Sequence, residues 1–123
     1  MRFVMLTYNG EESLRWWEAA SREERQDEVT RTVAWFQEHG AKGRIVGGEE
    51  LGWPRDAKVV RRSGVSDGPY IETKELLGGF IVLEVPDAAT ALEVAAGWPA
   101  LLRSDCAVEI RPVGDSTAEA GMR

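Results

Sequence analysis

The sequence predicts an α+β protein with a ferredoxin-like antiparallel sheet, in which two βαβ units are joined by an inserted β-hairpin. Three observations lead to this fold class. Hydrophobic periodicity gives the order strand, helix, strand, hairpin, strand, helix, strand along 123 residues. Segments 2–8 and 79–85 are apolar on both faces, and the ferredoxin-like topology makes these two strands central. Two helices can cover only one face of such a sheet, so we expect a second copy of the chain to cover the other.

The clearest helix is predicted over 21–39. Ser21 is a candidate N-cap and Glu24 follows three residues later, which is a capping box. Gly40 is a typical helix stop. Apolar residues recur with helical spacing along one stripe, which we expect to pack into the core: Val29, Val33 and Phe36.

The other elements follow from shorter signals. Asp87 is a candidate N-cap for an alanine-rich helix that Gly97 and Pro99 end. A turn signal at Ser63-Gly64 joins two short strands. The predicted bounds are 2–8, 43–50, 57–62, 65–71, 79–85 and 106–113 for strands, with 11–20 left as a short helix or an aromatic-rich loop. We expect one domain at 1–113 and a flexible tail at 114–123.

Composition excludes several classes of protein. The net charge of -6 and a pI of about 4.9 disfavour binding to nucleic acid or to an anionic membrane surface. A single cysteine, Cys106, excludes an intramolecular disulfide and a multi-cysteine metal site. The sequence has no long apolar run and no signal-peptide pattern, so we expect a cytoplasmic protein. It also lacks the nucleotide-binding, zinc and iron–sulfur motifs, so we expect no cofactor and no metal.

Residues 67–79 read Asp-Gly-Pro-Tyr-Ile-Glu-Thr-Lys-Glu-Leu-Leu-Gly-Gly. This run resembles the signature of the DGPF proteins, the YCII-related family, with Tyr70 in place of a phenylalanine. Flanking segments around Tyr8, Gly48 and Pro86 are similar to the family as well. The resemblance implies a dimeric α+β barrel fold, a cleft near the sheet and a cytoplasmic location. Genes of this family often lie beside genes for sigma factors, which implies a regulatory link.

The resemblance also bears on chemistry. A related branch of the family has a proposed His–Asp pair for acid–base catalysis, and Asp67 lies where that aspartate is expected. The one histidine, His39, lies at the end of the long helix instead of near its start. Asp67 is therefore our candidate catalytic base or substrate anchor, although an Asp-Gly-Pro turn also explains it structurally. Candidate substrate-binding residues lie at strand ends or beside the motif: Tyr8, Glu49, Tyr70, Glu72 and Lys74.

Ordinary structural roles suit several other residues. His39 fits a cation that interacts with the C-terminal end of the helix dipole, and Cys106 fits a small apolar residue on a strand. Arg111 fits a solvated cation or the rim of a dimer interface. Three tryptophans in predicted loop regions could instead line an aromatic pocket: Trp16, Trp17 and Trp53.

Two functions remain open from the sequence. The first is a small cofactor-independent enzyme that binds a small organic molecule and performs proton transfer or elimination. The second is a non-catalytic dimeric module that binds a ligand or a protein, linked to sigma-factor regulation. Convergence of the candidate side chains on one pocket favours the first, and an exposed apolar patch favours the second.

Overall fold

The computed structural model describes residues 1–70, 75–103, 105–116 and 121. This part of the chain forms three helices and six strands, with short 3-10 turns at Pro54–Asp56 and Pro99–Leu102. The strands and helices, in chain order, are β1 (Arg2–Gly10), α1 (Glu11–Ala19), α2 (Arg22–Ala41), β2 (Ile45–Glu50), β3 (Lys58–Arg61), β4 (Gly64–Asp67), β5 (Glu75–Glu84), α3 (Ala88–Ala96) and β6 (Ala107–Pro112).

The main sheet has four antiparallel strands in the order β2-β5-β1-β6. The ferredoxin-like α+β class is confirmed, and the two strands that are apolar on both faces are the central pair. β5 begins four residues earlier than predicted, at Glu75. The predicted hairpin is β3 and β4, which form a separate two-stranded sheet.

The core lies on the face of the sheet that the helices cover. Met5 pairs with Ile81 and Phe3 with Leu83 across the central strands, so these four side chains share that face. Trp35 of α2 packs against them, and its indole N–H donates to the carbonyl oxygen of Val94 in α3 at 3.2 Å. Long-range packing, and not helix propensity, therefore fixes α2 and α3 to the sheet.

The start of α2 is as predicted, whereas its end and its buried face are not. Ser21 and Glu24 form both hydrogen bonds of the capping box. The helix continues through Gly40 to Ala41, and Lys42 is the C-cap. The expected core stripe is wrong: its residues are 51%, 46% and 37% exposed, in the order Val29, Val33 and Phe36.

A different face of α2 is buried. Glu28, Trp35 and His39 lie at i, i+7 and i+11, and all three are at most 7% exposed. Because the large Trp35 ring packs against β1 and β5, the neighbouring stripe of Val29, Val33 and Phe36 points away from the core. That stripe lines a cavity instead.

The expectation that His39 is a helix-end cation is also wrong. Its ring is buried edge-on to Trp35, with centroids 4.9 Å apart. Burial lowers the pKa of His39, and the positive charges of Arg44 and Lys42 lower it further against an opposing effect of Glu38. The neutral ring is therefore favoured.

Three smaller predictions can also be compared with the structure. Residues Glu11–Ala19 form α1, so of the two alternatives for 11–20 the short helix is correct and the aromatic-rich loop is not. Cys106 lies just before β6, half-buried. The predicted tail at 114–123 falls partly outside the described residues and stays a prediction. In the described ranges no helix has both the length and the apolar character needed to cross a membrane.

Candidate functional site

A cavity of about 600 Å³ lies between α2 and the sheet. We call it the helix-side cavity. Its walls come from both central strands, the edge strand β2, the exposed stripe of α2 and the segment after α3. Its polar and aromatic lining includes Thr7, Asn9, Trp17, Glu28, Phe36, Glu50 and Trp98.

The cavity stays open because glycines form much of its strand wall. Gly47, Gly48 and Gly79 bring no side chain to the space under the exposed stripe of α2. A Cβ on Gly79 would approach the carbonyl oxygen of Glu49 to 2.9 Å, and Gly48 has φ of +147°. Larger residues are therefore strained at both positions, and the close approach of β2 to β5 requires glycine there.

A buried ion pair closes one wall. Glu28 is 5% exposed, and its Oε1 accepts a hydrogen bond of 2.8 Å from Nη1 of Arg103. The second oxygen lies 3.4 Å from the guanidinium of Arg31. Arg103 stacks on Trp16, with its guanidinium carbon 3.8 Å from the ring centroid, in a cation–π contact. This pair ties α1, α2 and the segment before β6 together.

The polar groups behind the cavity are mutually bonded. The Thr7 hydroxyl donates to the carbonyl oxygen of Gly79 at 3.2 Å. The thiol of Cys106 lies 3.6 Å from Oδ1 of Asn9 and 3.4 Å from Oγ of Ser13. In the described part of the chain, no fully buried side-chain nitrogen or oxygen lacks a partner. A ligand would therefore meet a fixed polar wall.

Strand register decides which carboxylate of β2 faces this cavity. Glu50 pairs with Gly79, which pairs with the helix-side residue Thr7. Glu49 pairs with Phe80, which is opposite Leu6 on the other face. Both residues line the helix-side cavity, but alternation directs the Glu50 side chain towards α2 and that of Glu49 to the opposite face.

A second cavity, of about 1000 Å³, lies beside the β3–β4 hairpin on the face of the sheet without helices. We call it the open-face cavity. Tyr8, Trp53, Lys58 and Tyr70 line it. The Tyr8 hydroxyl donates to Glu109 at 3.0 Å, and burial, followed by this hydrogen bond and the charge of Glu109, raises the pKa of Tyr8.

The candidate residues from the sequence divide between these cavities. Asp67 is exposed on β4 and forms an ion pair with Lys58, so it reaches the open-face cavity through that lysine. Tyr8 and Tyr70 line the same cavity, whereas Glu49 lines the other. Glu72 and Lys74 lie outside the described residues. The structure thus brings Asp67, Tyr8 and Tyr70 to one region and separates Glu49 from them.

The tryptophans expected in a pocket have three different roles. Trp17 lines the helix-side cavity and Trp53 the open-face cavity, while Trp16 stacks on Arg103. Sequence reasoning missed Glu28 and Arg103. The available signal was that Glu28 lies seven residues before Trp35. This spacing places its carboxylate on the same face of the helix as the buried tryptophan.

No three His, Cys, Asp or Glu side chains of the described ranges are grouped so that they could hold a metal ion.

Comparisons with known proteins agree with the fold. No curated protein matches the sequence. Among solved structures, the chain is similar to 5-chloro-2-hydroxyhydroquinone dehydrochlorinase (TftG) of Burkholderia phenoliruptrix AC1100, in complex with 2,5-dihydroxybenzoquinone. The TM-score is 0.55 at 16% identity, over 93% of this chain and 94% of that one. The model of the YCII-related domain matches residues 1–115, and the chain belongs to the YCII-related family.

Proposed function

We propose that this chain is a small enzyme that binds a flat, hydroxylated organic molecule in the helix-side cavity and transfers a proton on it without a cofactor. One observation carries the proposal: the apolar stripe of α2 faces an open cavity of about 600 Å³ instead of the core. Ligand cavities usually measure about 300–1000 Å³, so the space suits a small organic molecule.

The walls indicate the chemistry of the ligand. Trp17, Phe36 and Trp98 supply aromatic surface, which suits a flat apolar ring. The charged side chains that line the cavity in the described ranges are carboxylates, among them Glu28 and Glu50, which accept hydrogen bonds from hydroxyl groups. The molecule bound in the similar dehydrochlorinase structure, 2,5-dihydroxybenzoquinone, is a flat ring with two hydroxyl groups, which supports this ligand class.

We give the role of proton acceptor to Glu50, because Asp67 lies beside the open-face cavity and not beside the helix-side cavity that holds the ring. Glu50 lies on the helix face by register and reaches the cavity directly. Asp67 holds Lys58 at the wall of the open-face cavity, together with Tyr8 and Tyr70. A carboxylate that removes a hydroxyl proton lets electron density move to a ring carbon, which can then take up a proton from solvent.

Titration calorimetry with 4-methylcatechol tests binding. We expect Glu50→Gln to weaken binding about ten-fold or more, because a hydrogen bond to a charged acceptor contributes about 1.5–3 kcal/mol. Glu93→Gln is the matched control, since Glu93 is an exposed carboxylate of α3 that lines neither cavity, and we expect this variant to bind as the wild type does. Equal losses in both variants would contradict the assignment of Glu50.

Deuterium uptake tests catalysis. Resorcinol in D2O exchanges its ring hydrogens slowly, and proton NMR measures that rate with and without the protein. We expect the wild type to accelerate the exchange and Glu50→Gln to reduce the acceleration about 100-fold. If the ring binds without acceleration, the chain is instead the non-catalytic ligand-binding module.

We also propose that the chain is a homodimer that pairs through the open face of its sheet. Val4, Leu6, Phe80 and Val82 form an apolar band there and are only half-buried. Sedimentation velocity should show a dimer for the wild type and a monomer for Leu6→Arg, because burying an unpaired charge disrupts an apolar interface. Leu102→Arg adds the same charge at an 81% exposed site and should stay dimeric. A dimeric Leu6→Arg would contradict this interface.

A further inference from the structure

A third cavity lies between the other two and shares lining residues with both. It measures about 350 Å³ and lies at the end of the sheet where β2 passes into the following loop. We call it the edge channel. It shares Asn9, Trp17 and Glu50 with the helix-side cavity. It shares apolar and glycine residues with the open-face cavity, namely Leu51, Gly52, Trp53, Pro54, Leu76 and Leu77. These shared residues place the three cavities next to one another, from beneath α2, around the end of the sheet, to the open face, and we call this row of cavities the groove.

The chemistry of the groove changes along its length. At the helix-side end the edge channel presents Asn9 and Glu50. Its remaining lining in the described ranges consists of apolar side chains and glycine, with Trp17 and Trp53 both contributing aromatic surface. Binding of a ligand to such a surface is stabilised mainly by the burial of apolar groups. The polar end therefore suits a ring with hydroxyl groups, and the middle suits hydrocarbon.

The family motif follows this groove. Pro69 and Tyr70 line the open-face cavity, Leu77 lines both that cavity and the edge channel, Gly78 lines the edge channel, and Gly79 lines the helix-side cavity. The described residues between Pro69 and Gly79 thus border all three spaces in chain order. A turn at Asp67 alone would not need the later motif residues at those places.

We infer that the ligand of this chain is elongated: a hydroxylated ring in the helix-side cavity carries an unbranched hydrocarbon tail that lies in the edge channel and ends in the open-face cavity. This inference rests on the proposed function for the position of the ring. It adds that the site selects for tail length, and that Gly52 keeps the passage open. Gly52 lines both the edge channel and the open-face cavity, and a Cβ on it meets no atom within 4 Å, so the fold accommodates a larger side chain at this position of the groove.

Titration calorimetry with 4-methylcatechol, 4-butylcatechol and 4-octylcatechol, each below its micelle concentration, tests the inference. In the wild type we expect binding to tighten about two- to four-fold per added methylene, since each buried methylene contributes a similar increment. In Gly52→Leu we expect 4-methylcatechol to bind as before and the dependence on tail length to disappear. Gly40→Leu is the matched control, because it adds the same side chain in open space away from all three cavities.

The possible outcomes separate the two proposals. If 4-methylcatechol binds and longer tails do not bind more tightly, the elongated ligand is wrong and the proposed function stands. If only 4-octylcatechol binds, and Gly52→Leu abolishes that binding, the tail site stands and the ring site is wrong. A tail dependence that appears only in monomeric Leu6→Arg would mean that a second copy fills the open-face cavity, which overturns the inference. Absence of binding by all three catechols overturns both proposals.

Discussion

The two faces of the sheet have similar sequences and different surroundings. On β1, Phe3 and Met5 point to the helices and are 3% and 0% exposed, while their neighbours Val4 and Leu6 point the other way and stay half-buried. Hydrophobic periodicity assigns residues to faces, but it does not state what covers each face. Coverage depends on helices that pack on one side and, in our proposal, on a second chain on the other.

The helix side itself is not uniform. One face of α2 packs closely through Trp35 against α3 and the strands. The neighbouring face, with Val29, Val33 and Phe36, borders a cavity, because glycines of β2 and β5 offer no side chain to fill it. A tightly packed region and a hollow one thus lie on the same helix.

Alanine substitution on the two faces of β1 should give the largest contrast. We expect Met5→Ala to lower the free energy of unfolding by about 3 kcal/mol, because it leaves a cavity in a closed core. Leu6→Ala should cost about 1 kcal/mol in the monomer, since its side chain is only half-buried. Urea titration at two protein concentrations measures both. The Leu6 effect should grow with concentration in a homodimer, and equal, concentration-independent losses would contradict the comparison.

The ion pair beside the hollow region gives the next contrast. Arg103→Met should lower the free energy of unfolding by about 3 kcal/mol, because Glu28 then stays buried without its closest partner. Arg31→Met is the control, and it should cost less than about 1 kcal/mol because Arg31 is exposed.

A double variant, Glu28→Leu with Arg103→Met, removes both charges and should recover much of the loss. If Arg103→Met proves as mild as Arg31→Met in urea titration, the pair does not hold the cavity wall.

The smallest expected effect is the pH dependence of stability that arises from His39, on the packed face of α2. Burial lowers the pKa of His39 in the folded state, so the unfolded chain binds a proton near pH 6.5 that the folded chain resists. Its contribution to stability is therefore complete above about pH 6.5 and is lost as the pH falls below that value. Urea titrations at pH 7.5 and 5.5 should show lower stability at pH 5.5 for the wild type and a smaller difference for His39→Gln. An unchanged difference in the variant would assign the effect to other groups.

Local signals in the sequence predicted the elements well. The capping box at Ser21, the Asp87 cap and the central strands all depend on neighbours in sequence or on simple alternation, and the structure has them. The bound at Gly40 was wrong, since an exposed glycine does not have to end a helix whose last turn is held by buried His39.

The candidate site was harder to predict. Tyr8 and Tyr70 line one cavity, and strand register directs the side chain of Glu50, and not that of the adjacent Glu49, to the helix face of the sheet. A bulge in β2, between Ile45 and Gly47, changes which alternate residues face the helices. The Gly47-Gly48 pair allows a bulge, but only pairing with β5 sets the resulting offset.

Sequence patterns were sufficient to predict the order of the strands, the helices α2 and α3, the central strands and the family, because each depends on short-range periodicity or on a contiguous motif. Which face of α2 is buried depends instead on packing between distant segments. Val29, Val33 and Phe36 have the spacing of a core stripe, yet the volume of Trp35 and the glycines opposite them turn that stripe to a cavity. Side-chain volumes from distant segments must fit together before a helix can settle, and that fit is a property of the packed chain.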